Sequence, residues 1–328
     1  MTPLDGTDVL LADLDGIVYA GDAAIPFAVD ALNAASGQLR VGYITNNASR
    51  TPQQVSSHLR SLGLEAGPDD IVSSPQAAVT ILKTLVPAKS TILVVGGEGL
   101  ITEVEAAGFR VTDSAEDSPA AVIQGFAPTV GWTHLAEASF ALHTGIPWVA
   151  TNTDWTIPVA RGIAPGNGTL VSAVHLAVGR LPVIAGKPER AIFDFARDKF
   201  AASNPLVIGD RLDTDILGAN RSGMRSALVL TGIDGPKQAL AAADDQQPTY
   251  ILGDLRELSM DYPETSVVEK RGTATVSVGN SSVSMTANVV RVVRAGSDPL
   301  NLLRAGCAAI YRSGLRIYGL DVDPAIYS

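Results

Sequence analysis

The stretch that decides the fold lies near the start of the chain and reads Val9-Leu10-Leu11-Ala12-Asp13-Leu14-Asp15-Gly16. Its first four residues are apolar and have the length of a short buried strand. Side chains at i and i+2 of an extended chain point the same way, so Asp13 and Asp15 can face one site, and Gly16 lets the chain turn away. Two carboxylates that close need a cation or a shared proton. Taken alone, the pattern is equally that of a turn that caps a helix.

Three other apolar runs also end in polar residues. The residues that follow these runs are Thr45-Asn46, Gly186-Lys187-Pro188 and Gly209-Asp210, with Asp215 a few positions further on. Ligands of an open α/β sheet bind beyond the carboxyl ends of its strands. Four strand ends that carry acids, a hydroxyl, an amide and a lysine therefore predict one site for a metal ion and an anionic substrate.

These segments, in this order, resemble the haloacid dehalogenase-type phosphatases. More narrowly, they are similar to the p-nitrophenylphosphatase and phosphoglycolate phosphatase branch, which carries a large α/β cap. The resemblance covers about the first 260 residues and is specific because the motifs occur together. The segments that carry it are Asp13-Leu14-Asp15-Gly16, Thr45-Asn46-Asn47, Gly186-Lys187-Pro188, Gly209-Asp210 and Pro165-Gly166-Asn167-Gly168.

The resemblance implies roles for the four acids. Asp13 would attack phosphorus and form an aspartyl-phosphate, and Asp15 would be the general acid and base. Mg²⁺ would be held by Asp13, Asp210 and the backbone carbonyl of Asp15, while Asp215 would orient Asp210 or a bound water.

The resemblance also implies that Thr45, Asn46 and Lys187 bind the phosphate. Two structural alternatives compete with this interpretation: Thr45 as a helix cap and Lys187 as a surface lysine. In the cap, Arg161 and Asn167 are candidate substrate contacts, because the small residues around Asn167 would let the backbone approach a ligand; an ordinary hairpin is the alternative. Gly96-Gly97-Glu98-Gly99 lacks the spacing of a dinucleotide-binding loop and is interpreted as the first turn of the cap.

Composition excludes several classes of protein. The net charge of −10 disfavours a nucleic-acid partner, and apolar runs are too short to cross a membrane. The single cysteine, Cys307, allows no internal disulfide and favours a reducing cytoplasm, and the first residues contain no signal-peptide core. One cysteine and four histidines do not provide a usual zinc site, so that any metal would be bound by oxygen.

The alternation of strand and helix patterns predicts an α/β fold, with a doubly wound parallel sheet. We expect a core at residues 1–78 and 186–262, an inserted cap at 79–185 and a small α+β module at 263–328. In that tail, Thr273–Val278 and Ser282–Thr286 flank Gly279-Asn280 as a hairpin, a helix begins at Asp298-Pro299, and Leu315–Tyr318 is a last strand.

Charge is unevenly distributed between the tail and the rest of the chain. From Val267 onward, seven basic and four acidic residues give +3, against −13 for the rest. The asymmetry suggests that the tail docks on an acidic surface such as its own, although a solvated face has the same composition. The apolar face of the tail helix must also be covered, either by its own strands and the core or by a second subunit in a homodimer.

The sequence therefore predicts a magnesium-dependent phosphatase that acts on a small phosphorylated metabolite. Glycerol 3-phosphate is the favoured substrate, and 2-phosphoglycolate, pyridoxal phosphate and nucleotides are the alternatives. Two functions of other classes stay open. One is a phosphometabolite-binding protein with weak catalysis, and the other is a bifunctional protein with an acetyltransferase-like tail.

Overall fold

A computed structural model describes residues 1–159 and 161–328 of the chain. These residues form two compact units. The first contains residues 1–20, 24–39 and 204–328, and the second contains residues 21–23 and 40–203. This division joins the tail to part of the expected core, and so it differs from the expected domains. The boundaries at 78/79, 185/186 and 262/263 stay a prediction.

Strands and helices alternate over most of the chain. The strands are β1 (Val9–Ala12), β2 (Tyr19–Ala20), β3 (Ala23–Ala24), β4 (Arg40–Thr45), β5 (Ile71–Ser73), β6 (Thr91–Val95), β7 (Arg110–Thr112), β8 (Ala121–Gln124), β9 (Trp148–Ala150), β10 (Thr156–Val159), β11 (Gly162–Pro165), β12 (Val183–Ile184), β13 (Leu206–Gly209), β14 (Arg225–Val229), β15 (Tyr250–Leu252), β16 (Thr265–Lys270), β17 (Thr273–Val278), β18 (Ser281–Thr286), β19 (Val289–Arg294) and β20 (Asp321–Val322). The helices are α1 (Ala28–Ser36), α2 (Pro52–Ser61), α3 (Ser74–Leu85), α4 (Glu98–Ala106), α5 (Trp132–Leu142), α6 (Asn167–Val178), α7 (Arg190–Phe200), α8 (Leu217–Arg221), α9 (Pro236–Leu240) and α10 (Pro299–Ser313). No helix among the described residues is long and apolar enough to cross a membrane.

Four parallel strands form the centre of the first unit. β1 pairs with β13, β13 with β14, and β14 with β15. All four residues of β1 are buried, which explains why they are uniformly apolar: parallel strands covered on both faces do not alternate. The prediction of a parallel α/β fold is confirmed.

The second unit contains a separate parallel sheet with the strand order β12-β9-β8-β6-β7. Helices α5 and α6 cover one face of it, where Leu93, Val122 and Trp148 share a buried cluster with Val171 and Val174. β4 and β5 pair in parallel in the same unit, and β10 and β11 form an antiparallel hairpin.

The tail is a five-stranded sheet, β16-β17-β18-β19-β20, with α10 packed on it. The predicted hairpin is confirmed, since Val278 lies opposite Ser281 and Gly279 has φ +56° at the turn. The predicted helix is α10, whose N-cap Asp298 accepts a hydrogen bond from Leu300 N at 3.0 Å.

The prediction of a last strand at Leu315–Tyr318 is wrong. The final strand is β20, and Asp321 N donates to Asn288 O at 2.9 Å beside β19. Residues 315–318 connect the end of α10 to that pairing position, so their apolar side chains do not join the sheet.

The apolar face of α10 is buried between the tail strands and the core strands. Leu302, Leu303 and Ile310 belong to one cluster with Val276 of the tail and Leu228 of the core. Of the two arrangements expected for this face, the structure therefore shows coverage by the tail's own strands and the core.

The basic residues of the tail are not all solvated. Arg304 is only 6% exposed and pairs with Glu257, while Arg316 pairs with Asp244 at 3.3 Å. Both acids precede the tail, so two of its seven basic residues form ion pairs with the core.

Candidate active site

The turn after β1 presents two acids. Asp13 extends the pairing of β1 with β13, because its N–H donates to Ile208 O at 2.9 Å. Asp13 is 8% exposed. The chain then folds back, with Leu14 O accepting from Val18 N at 2.8 Å, and Gly16 adopts φ +81°. Asp15 is exposed. The glycine is thus required at the turn, as the sequence predicts.

Three carboxylates of the first unit form a cluster. Asp13, Asp210 and Asp215 each offer one oxygen, and these atoms lie within 4.8 Å of one another. A donor set made only of carboxylate oxygens fits a hard divalent cation such as Mg²⁺. The predicted ligands Asp13 and Asp210 are thereby brought together, and Asp215, expected only to orient Asp210, lies in the same cluster. Whether the Asp15 carbonyl joins them stays a prediction.

A single π-helical turn, Leu212–Ile216, carries Asp215 back toward Asp210. Ile216 N donates to Arg211 O at 3.2 Å, and Asp215 Oδ2 accepts from Arg211 N at 3.2 Å. Such turns often occur at functional sites. The sequence pattern contained no signal for it, because its residues are also typical of an ordinary helix.

The segment Thr231–Asp234, which the sequence pattern did not indicate, follows β14 and contacts this cluster. Ile233 N donates to Asp210 Oδ2 at 2.8 Å, and Asp234 Oδ2 accepts from Leu212 N at 2.7 Å. Burial raises the pKa of the Asp234 carboxyl, and the charges of Asp213 and Asp215 also raise it. Only the Thr-Gly pair at a strand end could have indicated this segment.

In the second unit, Asn46 holds the backbone of Lys187. Asn46 Oδ1 accepts from Lys187 N at 2.8 Å, and Asn46 Nδ2 donates to Lys187 O at 3.1 Å. A Cβ at Gly186 would lie 2.5 Å from Asn46 Oδ1, so only glycine allows this approach. Both polar atoms of the Asn46 side chain are therefore hydrogen-bonded to the backbone of Lys187. The predicted direct contact between the Asn46 amide and phosphate would require these bonds to break.

Lys187 and Thr45 are both buried, at 4% and 3% exposure. The surface-lysine alternative is thus wrong for Lys187. Thr45 ends β4 and accepts from Asn47 N at 3.1 Å, whereas the N-cap of α2 is Thr51, in a capping box with Gln54. The helix-cap alternative for Thr45 is wrong as well.

A polar network that the sequence did not reveal surrounds Asn46. Its Nδ2 donates to both carboxylate oxygens of Asp154, each at 3.2 Å, and Asn152 Nδ2 donates to Asn46 O at 2.7 Å. Asn46 is thus bonded to residues more than one hundred positions away on two segments.

The prediction that Asn167 contacts substrate is not supported, because Asn167 is 1% exposed and donates to Asn152 O at 2.7 Å. Pro165-Gly166-Asn167-Gly168 is the junction of β11 and α6, so the hairpin alternative for these residues is also wrong. A Cβ at Gly166 would lie 2.2 Å from Asp154 O. The glycines do allow a close backbone approach, but to the chain's own backbone.

The other cap candidate, Arg161, lies exposed in the turn of the β10–β11 hairpin. Its role in substrate binding stays a prediction. Gly97 and Gly99 stand at the junction of β6 and α4, where a Cβ at Gly99 would lie 2.5 Å from Arg50 O. Gly99 therefore allows a close approach of the chain's own backbone at Arg50.

Comparisons with known proteins agree with this chemistry. The family model "Haloacid dehalogenase-like hydrolase" matches residues 10–110, and a HAD-hydrolase-like model matches residues 184–258. The D-glycerol 3-phosphate phosphatase of Mycobacterium tuberculosis is 41% identical over 309 residues, which are 93% of this chain and 86% of that protein. A match of that extent must include most of the tail.

Solved structures show the same likeness. A crystal structure of glycerol phosphate phosphatase from Mycobacterium tuberculosis in complex with magnesium superposes with a TM-score of 0.85 at 38% identity, over 95% of this chain and 92% of that one. The p-nitrophenyl phosphatase from Archaeoglobus fulgidus gives a TM-score of 0.71 at 27% identity, over 77% and 98% of the two chains.

Proposed function

This chain belongs to the haloacid dehalogenase-like hydrolases, and from that premise we propose that it is a magnesium-dependent phosphatase that hydrolyses glycerol 3-phosphate. The observation that carries the chemistry is the carboxylate cluster of Asp13, Asp210 and Asp215 at the ends of parallel strands. The substrate is supported by the similarity to the D-glycerol 3-phosphate phosphatase along nearly the whole chain.

In the proposed reaction, one carboxylate oxygen of Asp13 attacks phosphorus, and the bond from phosphorus to the ester oxygen breaks. Asp15 donates a proton to the departing glycerol oxygen. Asp15 then takes a proton from a water molecule that attacks the aspartyl-phosphate, which releases inorganic phosphate and restores both acids. The exposed position of Asp15 supports a role that requires proton exchange with water.

Asp13, Asp210 and Asp215 would hold the magnesium ion, which supplies charge neutralisation for the phosphoryl group. The opposite protonation states that Asp13 and Asp15 require are consistent with a cation beside Asp13 only. Asp15 is not part of the carboxylate cluster among the described residues.

We assign phosphate binding to the Thr45 hydroxyl and the Lys187 ammonium. Asn46 is assigned a positioning role in place of direct phosphate contact, since its side-chain amide bonds both the N–H and the carbonyl of Lys187. A buried lysine held by its backbone loses less conformational freedom when it binds an anion.

The test is release of inorganic phosphate with Mg²⁺ from both enantiomers of glycerol 3-phosphate, and from 2-phosphoglycolate, pyridoxal phosphate and a nucleoside monophosphate. We expect kcat/KM for one glycerol 3-phosphate enantiomer to exceed that for each other substrate by about ten-fold or more. A higher kcat/KM for another ester would identify that ester, and not glycerol 3-phosphate, as the substrate. Tight binding without phosphate release would identify a phosphometabolite-binding protein instead.

Three predictions about the protein's organisation are part of this proposal: a cap at residues 79–185, a reducing cytoplasmic location and a homodimer through the tail. The structure buries the apolar face of α10 within one chain, which reduces the apolar surface left for a second subunit. Limited proteolysis measures the domain boundaries, and sedimentation measures the oligomeric state.

A further inference from the structure

We propose that the segment Thr231–Asp234, called here the clamp, positions the metal-binding carboxylate of Asp210, and that Asp234 is its anchoring residue. The clamp follows β14, one strand away from the strand that carries Asp210. This inference rests on the proposed magnesium-dependent function.

The clamp fits closely against the Asp210 side chain. Ile233 N donates to Asp210 Oδ2 at 2.8 Å. A Cβ added at Gly232 would lie 2.0 Å from that oxygen and 2.4 Å from the Asp210 Cβ. Since the side chain at position 232 would collide with the base of the Asp210 side chain and not only its tip, only glycine leaves Asp210 where it is.

Asp234 bonds the clamp to the chain on both sides of Arg211. Its N–H donates to Asp210 O at 3.0 Å, and its Oδ2 accepts from Leu212 N at 2.7 Å. Leu212 begins the π-helical turn that carries Asp215. One residue therefore fixes the backbone from which both Asp210 and Asp215 project.

The clamp is also bonded to the loop that follows the proposed nucleophile, Asp13. Thr231 Oγ1 donates to Gly16 O at 2.8 Å, and a Cβ at Gly16 would lie 2.2 Å from Asp210 Oδ2. The Asp210 carboxylate thus lies between two glycines, one after β1 and one after β14. Asp13 and Asp210 come from separate strands, and the clamp is bonded to the loops of both.

Groups that orient metal ligands typically contribute about 10–100-fold to metal affinity. The clamp supplies this orientation through backbone donors and one carboxylate acceptor. We therefore expect its loss to weaken Mg²⁺ binding more than it weakens the fold.

The first experiment compares Gly232→Ala with Gly235→Ala, a glycine of the same loop whose added Cβ meets nothing closer than 3.7 Å. Mg²⁺ affinity of the full chain is measured by isothermal titration calorimetry, and the melting temperature is measured in chelator and in Mg²⁺. We expect Gly232→Ala to weaken Mg²⁺ binding at least about ten-fold and to lose most of the Mg²⁺-induced rise in melting temperature. Gly235→Ala should match the wild type.

The second experiment does not depend on the tolerance of position 232. Asp234→Ala removes the acceptor for Leu212 N, whereas Asp234→Asn keeps an oxygen acceptor and removes the charge. We expect Asp234→Ala to bind Mg²⁺ about ten-fold more weakly and Asp234→Asn to bind it nearly as the wild type does. Asp213→Ala is the matched control. The Asp213 side chain is on the same turn, is 58% exposed and forms an ion pair with Arg211 at 2.8 Å.

Wild-type Mg²⁺ affinity in both Gly232→Ala and Asp234→Ala would overturn the clamp while leaving the proposed function in place. Equal weakening in Asp234→Asn, Asp213→Ala and Asp234→Ala would also overturn it, since a general loss of negative charge would then explain the effect. A wild-type protein that neither binds Mg²⁺ nor needs it for hydrolysis would overturn the proposed function together with the clamp.

Discussion

Replacing Arg304 with methionine should destabilise the protein, because this arginine joins the tail to the core from a buried position. Its Nε and Nη2 donate to Ile251 O at 2.9 and 2.7 Å, and its Nη2 also pairs with Glu257. Its guanidinium lies 4.6 Å from the ring centroid of Tyr262. Methionine fills much of the same volume but can satisfy none of these polar partners.

The expected loss follows from the groups left behind. An unsatisfied carbonyl of Ile251 costs about 1–3 kcal/mol, and breaking a fully buried ion pair costs about 3–5 kcal/mol. Because the Glu257 side chain is 24% exposed and can regain some hydration, we expect a total near 3 kcal/mol. With about 2.1 cal/mol/K of unfolding entropy per residue, the melting temperature of the 328-residue chain should fall by roughly 4 °C.

Urea denaturation and thermal melts followed by circular dichroism measure this loss. Arg312→Met is the matched control on the same helix, because its side chain is 56% exposed and pairs with Glu269 at 3.2 Å on the surface. We expect the control to change the free energy of unfolding by less than about 0.5 kcal/mol. Equal, small losses in the two variants would refute the argument that Arg304 anchors the tail.

Four further predictions concern the site and the tail. Asp13→Asn should reduce kcat to below about one thousandth of the wild-type value with little change in melting temperature, and a residual rate of several per cent would contradict its role as nucleophile. Chelation should abolish phosphate release, Mg²⁺ should restore it and Zn²⁺ should restore it poorly, because the clustered ligands are oxygens; full activity in excess chelator would exclude the metal site. Asn46→Ala should lower kcat/KM about ten-fold or more, since Lys187 loses the bonds that hold its backbone, and unchanged kinetics would remove Asn46 from the site. Burial raises the pKa of the Cys307 thiol to about 12, so a thiol reagent at pH 8 should label it only as fast as the tail opens, and immediate labelling of the native protein would show that α10 is not packed as described.

The sequence by itself determined the parallel α/β class and predicted Asp13 and Asp210, which the fold brings into one cluster. Both depend on local patterns: a short apolar run marks a buried strand, and the polar residues after it mark the edge where ligands bind. Asp13 and Asp210 could be predicted as partners because each follows such a run. The hairpin and the helix of the tail were likewise predictable from a Gly-Asn turn and an Asp-Pro helix start.

Only the tertiary structure decided which polar residues act on other protein groups. Asn46 has the local pattern of a phosphate-binding amide, but its side chain bonds a backbone 141 positions away. Arg304 has the local pattern of a solvated charge, yet it is buried against a carbonyl of β15. In sequence, Thr231–Asp234 resembles any strand-to-helix loop, and only the fold shows that its backbone donates to Asp210. Local periodicity reports on burial and turning of the backbone, whereas these contacts join residues far apart in the chain, and only the packed fold brings them within hydrogen-bonding distance.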